Sequence, residues 1–286
     1  MSPSQRVTSV KSDRVTAVRT LHTRQGRRKT GRFVVEGPQS VRSALAAGVV
    51  IRDLFMDDDA GVAFADIVTD ARTAGRSVTW TTPDVLAAMG ETSQPQGVLA
   101  VCDLLPEVEL SAVMAAPGPV LLLDQLTDPG NVGTVIRTAD AVGAAGVLLT
   151  TGSADVHNGK VVRSTAGSLF HLPVVPHIDL SEASSAARAH GRVVAVATGD
   201  AEIGLFEAAA AGRVDDRTCW VIGSEAHGVS EEGRAVADIA VRIPMAGRAE
   251  SLNAAVAAAV VLYVTAYQAF SAPGEPIRAI RAQMTD

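Results

Sequence analysis

Three stretches of the sequence place polar, chemically capable residues where an apolar run gives out. In DPGNVGTVIRTADAVGA, Asn131 stands near a helix start and Arg137 lies about two turns on. In WVIGSEAHGVSEE, Gly223 ends an apolar run and is followed by Glu225 and His227. In VRIPMAGRAESLNAA, Ser251 and Asn253 precede an alanine-rich run. A guanidinium holds anions, amides and hydroxyls orient a reactant, and glycine allows close backbone approach to a ligand. The first stretch sits where a dinucleotide's pyrophosphate would be held. Its glycines do not satisfy GxGxxG, however, and no GxxxxGK[ST] occurs, which weakens that reading. Each residue also has a plainer role: Asn131 as N-cap, Ser251 or Asn253 opening the last helix, Glu225 and His227 as surface groups.

The elements around these residues follow from periodicity. PVLLLDQ, AGVLLT, LPVVPHI, RVVAVAT, CWVIGSE and AVRIPMA read as strands with helices between several of them. Their continuous apolar character predicts a parallel sheet covered on both faces. Ligands of such sheets bind beyond the carboxyl ends of the strands, where all three stretches fall. Val132, Val135, Ile136, Ala139 and Val142 form one helical stripe, and Arg137 lies off it. The fold class expected is α/β. A small α/β substrate-binding domain spans 1–105 and a linker 106–117. A parallel-sheet domain spans 118–272, and a polar tail 273–286.

Apolar content of 47% with 20% charged residues excludes a disordered chain. Neither CxxC nor HExxH occurs, so no metal site is expected. Cys102 and Cys219, each in an apolar strand-like run, read as inert buried thiols. Leu252 to Phe270 is apolar but mostly alanine, with Asn253, Thr265 and Gln268, which predicts a buried helix and no membrane span. No apolar signal region opens the sequence, which predicts a cytoplasmic protein. Net charge is −6, yet residues 1–32 hold nine Lys or Arg against one acid. That asymmetry leaves two readings, a solubilising tail or a basic arm that contacts phosphates.

The three stretches DPGNVGTVIRTADAVGA, VIGSEAHGVS and IPMAGRAESLNAAVAAAV resemble the signature motifs of the SpoU/TrmH family of RNA ribose methyltransferases in the SPOUT superfamily. KVVRSTAGSLFHLPVV is also similar to the family. FVVEGPQSVRSAL and QPQGVLAV resemble the ribosomal-protein-like RNA-binding domain that many members carry.

The resemblance implies a deep trefoil knot, a homodimer through the SPOUT domain, and S-adenosylmethionine as methyl donor. It places Gly223, Ile243, Leu252, Met245, Thr198 and Gly199 at the donor. It assigns Arg137, Asn131, Glu225, Ser251 and Asn253 to catalysis. Arg24, Arg27, Arg28, Lys29, Arg32 and Arg163 are then expected to bind RNA. The implied activity is 2′-O-methylation, with 23S ribosomal RNA favoured by the N-terminal domain and antibiotic resistance left open as a role. Transfer RNA methylation and a non-catalytic assembly factor on the same fold are the alternatives. A dinucleotide oxidoreductase is disfavoured by the absent phosphate loops.

Overall fold

The basic stretch at the N-terminus folds. The structure, a computed structural model, describes residues 6–224 and 227–270, so the polar tail lies outside the described residues. A two-residue strand β1 (Arg6–Val7) leads to helices α1 (Asp13–Thr20) and α2 (Arg24–Thr30). Ser12 and Thr23 cap them, accepting the N–H groups of Val15 and Gly26. Val15, Val18 and Leu21 enter a core with Phe55, Leu86 and Leu99. Of the two readings of this basic stretch, a solubilising tail does not fit, because its apolar residues recur at helical spacing and are buried.

The chain divides into two compact units. The first comprises residues 1–107, 127–137 and 154–173, and the second 108–126, 138–153 and 174–286. In the first, strands β2 (Arg32–Glu36), β3 (Ile51–Met56), β4 (Val78–Thr81) and β5 (Val98–Asp103) join β1 in the order β1-β4-β3-β5-β2. The sheet is mixed. β5 runs antiparallel to β3 and β2, and the other pairs are parallel. Helices α3 (Pro38–Ala46), α4 (Asp58–Ala63), α5 (Ala65–Thr73) and α6 (Pro83–Met89) connect them. Proline opens α3 and α6, where its missing N–H costs nothing. The short helix α4 was not expected; Asp57 nucleates it by accepting the Ala60 N–H at 2.8 Å.

The proline-bearing stretch 106–117 contains α7 (Leu110–Ala115), whose Val113 and Met114 are buried. Then follow β6 (Val120–Leu123), α8 (Pro129–Ala141), β7 (Gly146–Thr150), α9 (Gly159–Thr165), β8 (Val174–Ile178), α10 (Leu180–Ala189) and β9 (Val194–Ala197). The last elements are β10 (Ile203–Gly204), α11 (Leu205–Ala210), β11 (Cys219–Ile222), α12 (Glu231–Ala235), β12 (Ile239–Arg242) and α13 (Ala254–Phe270). Their sheet has the order β10-β12-β9-β11-β6-β7-β8, and every neighbouring pair is parallel. Every residue of β6, β7 and β11 is buried, as a sheet covered on both faces requires. β12 alternates buried and exposed residues and ends at Arg242, before the Pro244 reached by the expected strand.

Cys102 and Cys219 are buried and free. Burial pushes both thiols up to about 12, so neither is nucleophilic near neutrality. No helix among the described residues is long and apolar enough to cross a membrane.

Candidate active site

The carboxyl ends of β9 and β11 and the segment after β12 enclose a cleft of about 280 Å³ in the second unit. Thr198, Gly199, Gly223, Ile243, Met245, Ser251 and Leu252 all line it, with Arg234 and Gly228. The sequence placed six of these at a methyl donor and Ser251 in catalysis, and the fold brings all seven to one cavity.

Local geometry explains the glycines. A Cβ on Gly223 would lie 2.1 Å from the carbonyl carbon of Gly228, so no side chain fits. The chain doubles back there: Ser224 N–H donates to Gly228 O at 3.0 Å, and Gly228 N–H returns to Ser224 O at 2.8 Å. Gly228 takes a φ of +67°, which favours glycine. Glu225 lies outside the described residues. The Gly199 Cα faces open space, with no atom within 4 Å of an added Cβ.

Beneath this loop stands Asp124, at the end of β6. It is 1% exposed. Its Oδ2 accepts the Ser230 N–H at 2.8 Å, while Oδ1 is buried without a hydrogen-bond partner. Ser230 in turn caps α12, accepting the Gly233 N–H at 3.0 Å. On the other side of the cleft, Arg234 donates to both oxygens of Asp200, at 3.0 and 2.8 Å. The Thr198 hydroxyl, then Arg234, hold the Asp200 carboxyl below its ordinary range. The sequence reading missed Asp124, Asp200 and Arg234. A lone acid closing an all-apolar strand was the available signal for Asp124.

Asn131 and Arg137 do not line this cleft. They sit on α8, in the part of the helix (127–137) that groups with the first unit. The N-cap role expected of Asn131 is corrected. Asp128 performs it, its Oδ1 accepting the Asn131 N–H at 2.9 Å, while Asn131 is already helical. That bond, reinforced by Lys160 at 3.3 Å, holds the Asp128 carboxyl below its ordinary range despite some burial. The stripe Val132, Val135, Ile136, Ala139 and Val142 is buried as expected. Arg137 is exposed, and no hydrogen bond or ion pair engages it among the described residues. Asn253 caps α13, its Oδ1 accepting the N–H groups of Ala255 and Val256 at 2.9 and 3.3 Å.

The six expected RNA-binding residues divide. Arg24, Arg28 and Lys29 are exposed on α2. Arg32 is exposed beside Asp103 at 3.8 Å. Arg27 is turned inward and only 3% exposed, which corrects its assignment. Its Nε and Nη2 donate to Asp155 Oδ2 at 3.2 and 2.7 Å and its Nη1 to the carbonyls of Leu21 and His22, so four of its five N–H groups are engaged inside the fold. Arg163 is half-buried and paired with Glu36 at 2.6 Å and Glu91 at 3.4 Å. No cluster of metal-ligating side chains occurs among the described residues.

The model of the SpoU rRNA methylase family matches residues 118–263, which cover the parallel sheet and all three polar stretches. The chain belongs to this family. A second model, the MRM3-like substrate-binding domain, matches residues 12–100. The 23S rRNA (guanosine(2553)-2′-O)-methyltransferase RlmP of Bacillus subtilis is 35% identical over 264 residues, covering 91% of this chain and 98% of its own. The 23S rRNA (uridine(2479)-2′-O)-methyltransferase of Streptomyces viridochromogenes is 35% identical over 262 residues, 88% of each chain. The crystal structure of the SpoU methyltransferase AviRb from the same species, in complex with the cofactor AdoMet, superposes with a TM-score of 0.77 at 32% identity. That match covers 91% of this chain and all of AviRb.

Proposed function

We propose that this SpoU methylase transfers a methyl group from S-adenosylmethionine to a ribose 2′-hydroxyl of 23S ribosomal RNA. One observation carries the reading: Thr198, Gly199, Gly223, Ile243, Met245, Ser251 and Leu252, far apart in sequence, line a single cleft at the carboxyl end of a parallel sheet. The residues fit the donor. Ile243, Met245 and Leu252 offer apolar surface to an adenine, and Gly199, with open space where a side chain would stand, lets backbone approach it closely. When bound, the donor supplies a methyl group activated on a sulfonium. The remaining task is to align the ribose oxygen and let its proton leave.

We assign that task to Arg137, Asn131, Ser251, Asn253 and Glu225. A guanidinium remains protonated at any working pH, so Arg137 holds the target phosphate and stabilises negative charge developing on the 2′-oxygen. Ser251 orients that phosphate or relays the proton. Asn131, Asn253 and Glu225 orient Arg137 and the ribose. Arg24, Arg28, Lys29 and Arg32 supply phosphate contacts that give affinity without site choice. The knotted topology and a homodimer belong to the same reading. Exposed Val256 and Tyr263 on apolar α13, with Phe206 on α11, support burial against a second copy. Resistance to a ribosome-targeting antibiotic is one role such a methylation would serve.

Mapping 2′-O-methyl positions in 23S rRNA with and without the gene tests the reading. A single gene-dependent ribose methylation is expected. Donor binding with methylation of no RNA would favour a non-catalytic assembly factor, and a gene-dependent mark confined to transfer RNA would move the substrate.

A further inference from the structure

A second cavity, of about 640 Å³, lies wholly in the first unit between the start of α3, the Thr92–Gln96 loop and α9. Its inner wall is apolar, made by Leu86, Val98 and Leu99. Its mouth carries the neutral amides of Gln39, Gln94 and Gln96. Ser40 faces it, 4% exposed and without a hydrogen-bond partner among the described residues. α3 begins beside it with no side-chain cap, so its first N–H groups have no intrahelical partner.

Two charges line the cavity, and they cancel. The Glu36 carboxylate accepts from Arg163 at 2.6 Å and from the N–H groups of Glu91 and Thr92 at 3.2 and 3.4 Å. Glu91 also pairs with Arg163, at 3.4 Å. The salt bridge fixes the loop and the Nη1 end of the guanidinium. The Nε and Nη2 of Arg163 have no partner among the described residues. Gly37, with φ of +90°, keeps the mouth clear: a Cβ there would sit 3.1 Å from the Gln96 amide oxygen.

A phosphate site needs a surplus of positive charge, which this cavity lacks. It offers an apolar wall, a spare guanidinium edge, a hydroxyl and neutral amides that both donate and accept. Those groups match the face and the hydrogen-bonding edge of a heterocycle. We propose that the cavity receives an unpaired nucleobase of the RNA substrate, so that the first unit selects the site by reading a base away from the methylated ribose. This rests on the function proposed above. It separates two tasks: α2 supplies non-selective phosphate contacts, and the cavity supplies the sequence preference.

The test uses the full-length protein, deproteinised 23S rRNA and base-specific chemical probing. Gln94 and Gln96 are exposed, so Q94A/Q96A leaves the fold intact. Wild-type protein should protect one unpaired base that the double variant leaves reactive. The variant should raise KM for RNA about tenfold while affinity for S-adenosylmethionine holds. A transcript abasic at that position should bind wild type about tenfold more weakly and the variant no differently. Identical footprints, or equal losses by both proteins on abasic RNA, would overturn the proposal. Binding of free nucleoside monophosphates that the variant loses, with its RNA footprint unchanged, would also overturn it. Wild-type protein that methylates RNA while the footprints match ends this inference alone. Wild-type protein that binds no RNA ends both.

Discussion

The buried carboxylate of Asp124 accepts the backbone N–H of Ser230 at 2.8 Å, tying the end of β6 to the loop that follows β11. Its other oxygen meets no donor. D124A strands the Ser230 N–H and should cost about 1–3 kcal/mol in denaturant melts. D124N keeps an acceptor and should cost less. Because the tie holds the loop that lines the cleft, D124A should also weaken S-adenosylmethionine binding in calorimetry. Equal donor affinity in both variants would mean that the loop is set without Asp124.

G223A places a methyl group where the Gly228 carbonyl already sits. The hairpin between Ser224 and Gly228 must open. Thermal shift measurements should then show the loss of stabilisation by S-adenosylmethionine, together with about 1–3 kcal/mol lower intrinsic stability.

Arg137 separates two mechanistic roles. R137A should lower kcat about 10²–10⁴-fold in single-turnover methyl transfer, with donor affinity unchanged. R137K keeps the charge but not the planar fork and should recover only part of the rate, with an unmoved pH profile. A rate close to wild type with a profile shifted to lower pH would instead make residue 137 the proton acceptor.

His157 gives the first unit an acid-sensitive joint. Its Nε2 accepts the Leu105 N–H at 3.3 Å, and its ring meets Phe33 edge-on at 4.7 Å. Burial pushes it down to about 4, with Arg27 acting in the same direction against the pull of Asp155. Between about 4 and the ordinary 6.5 the unfolded chain binds a proton that the folded one refuses. Stability should therefore fall as pH drops through that window, by about 3 kcal/mol at most. Burial works to raise the Asp155 carboxyl, but Arg27 and the His157 N–H hold it below its ordinary range, which extends the loss further into acid. H157Q retains an acceptor and should flatten the slope between pH 6.5 and 4 in urea melts.

The basic residues of α2 should behave oppositely. R27A leaves Asp155 without its guanidinium counter-ion and should cost about 3 kcal/mol in stability. A triple substitution of Arg24, Arg28 and Lys29 by Ala should leave the melting temperature in place. It should weaken RNA binding and flatten the dependence of log affinity on log salt.

The sheet of the second unit was legible because all-apolar strands such as Val120–Leu123 have one stable environment, between two helical layers. That the residues of the cleft would gather was legible because they stand at strand ends within recognisable motifs. Arg27 was misread because charge is visible in a sequence and its partner, Asp155, is 128 residues away. Asn131 was misread by three positions because Asp128 caps equally well and Pro129 tolerates the first helical turn. The cavity beside α3 was invisible: glutamines and serines in a loop carry no spacing signal, and Glu36 looks like the end of a strand.

Phe33 packs on His157 and Phe170, and Arg27 finds its counter-ion at Asp155. A fragment cut near residue 107 would expose an aromatic core residue and leave a guanidinium buried without its counter-ion. The first unit is thus encoded in separated pieces. Recombination between relatives, natural or engineered, must carry residues 127–137 and 154–173 together with residues 1–107. Grafts that move the N-terminal part alone should yield aggregating protein, however well their boundaries match the sequence families.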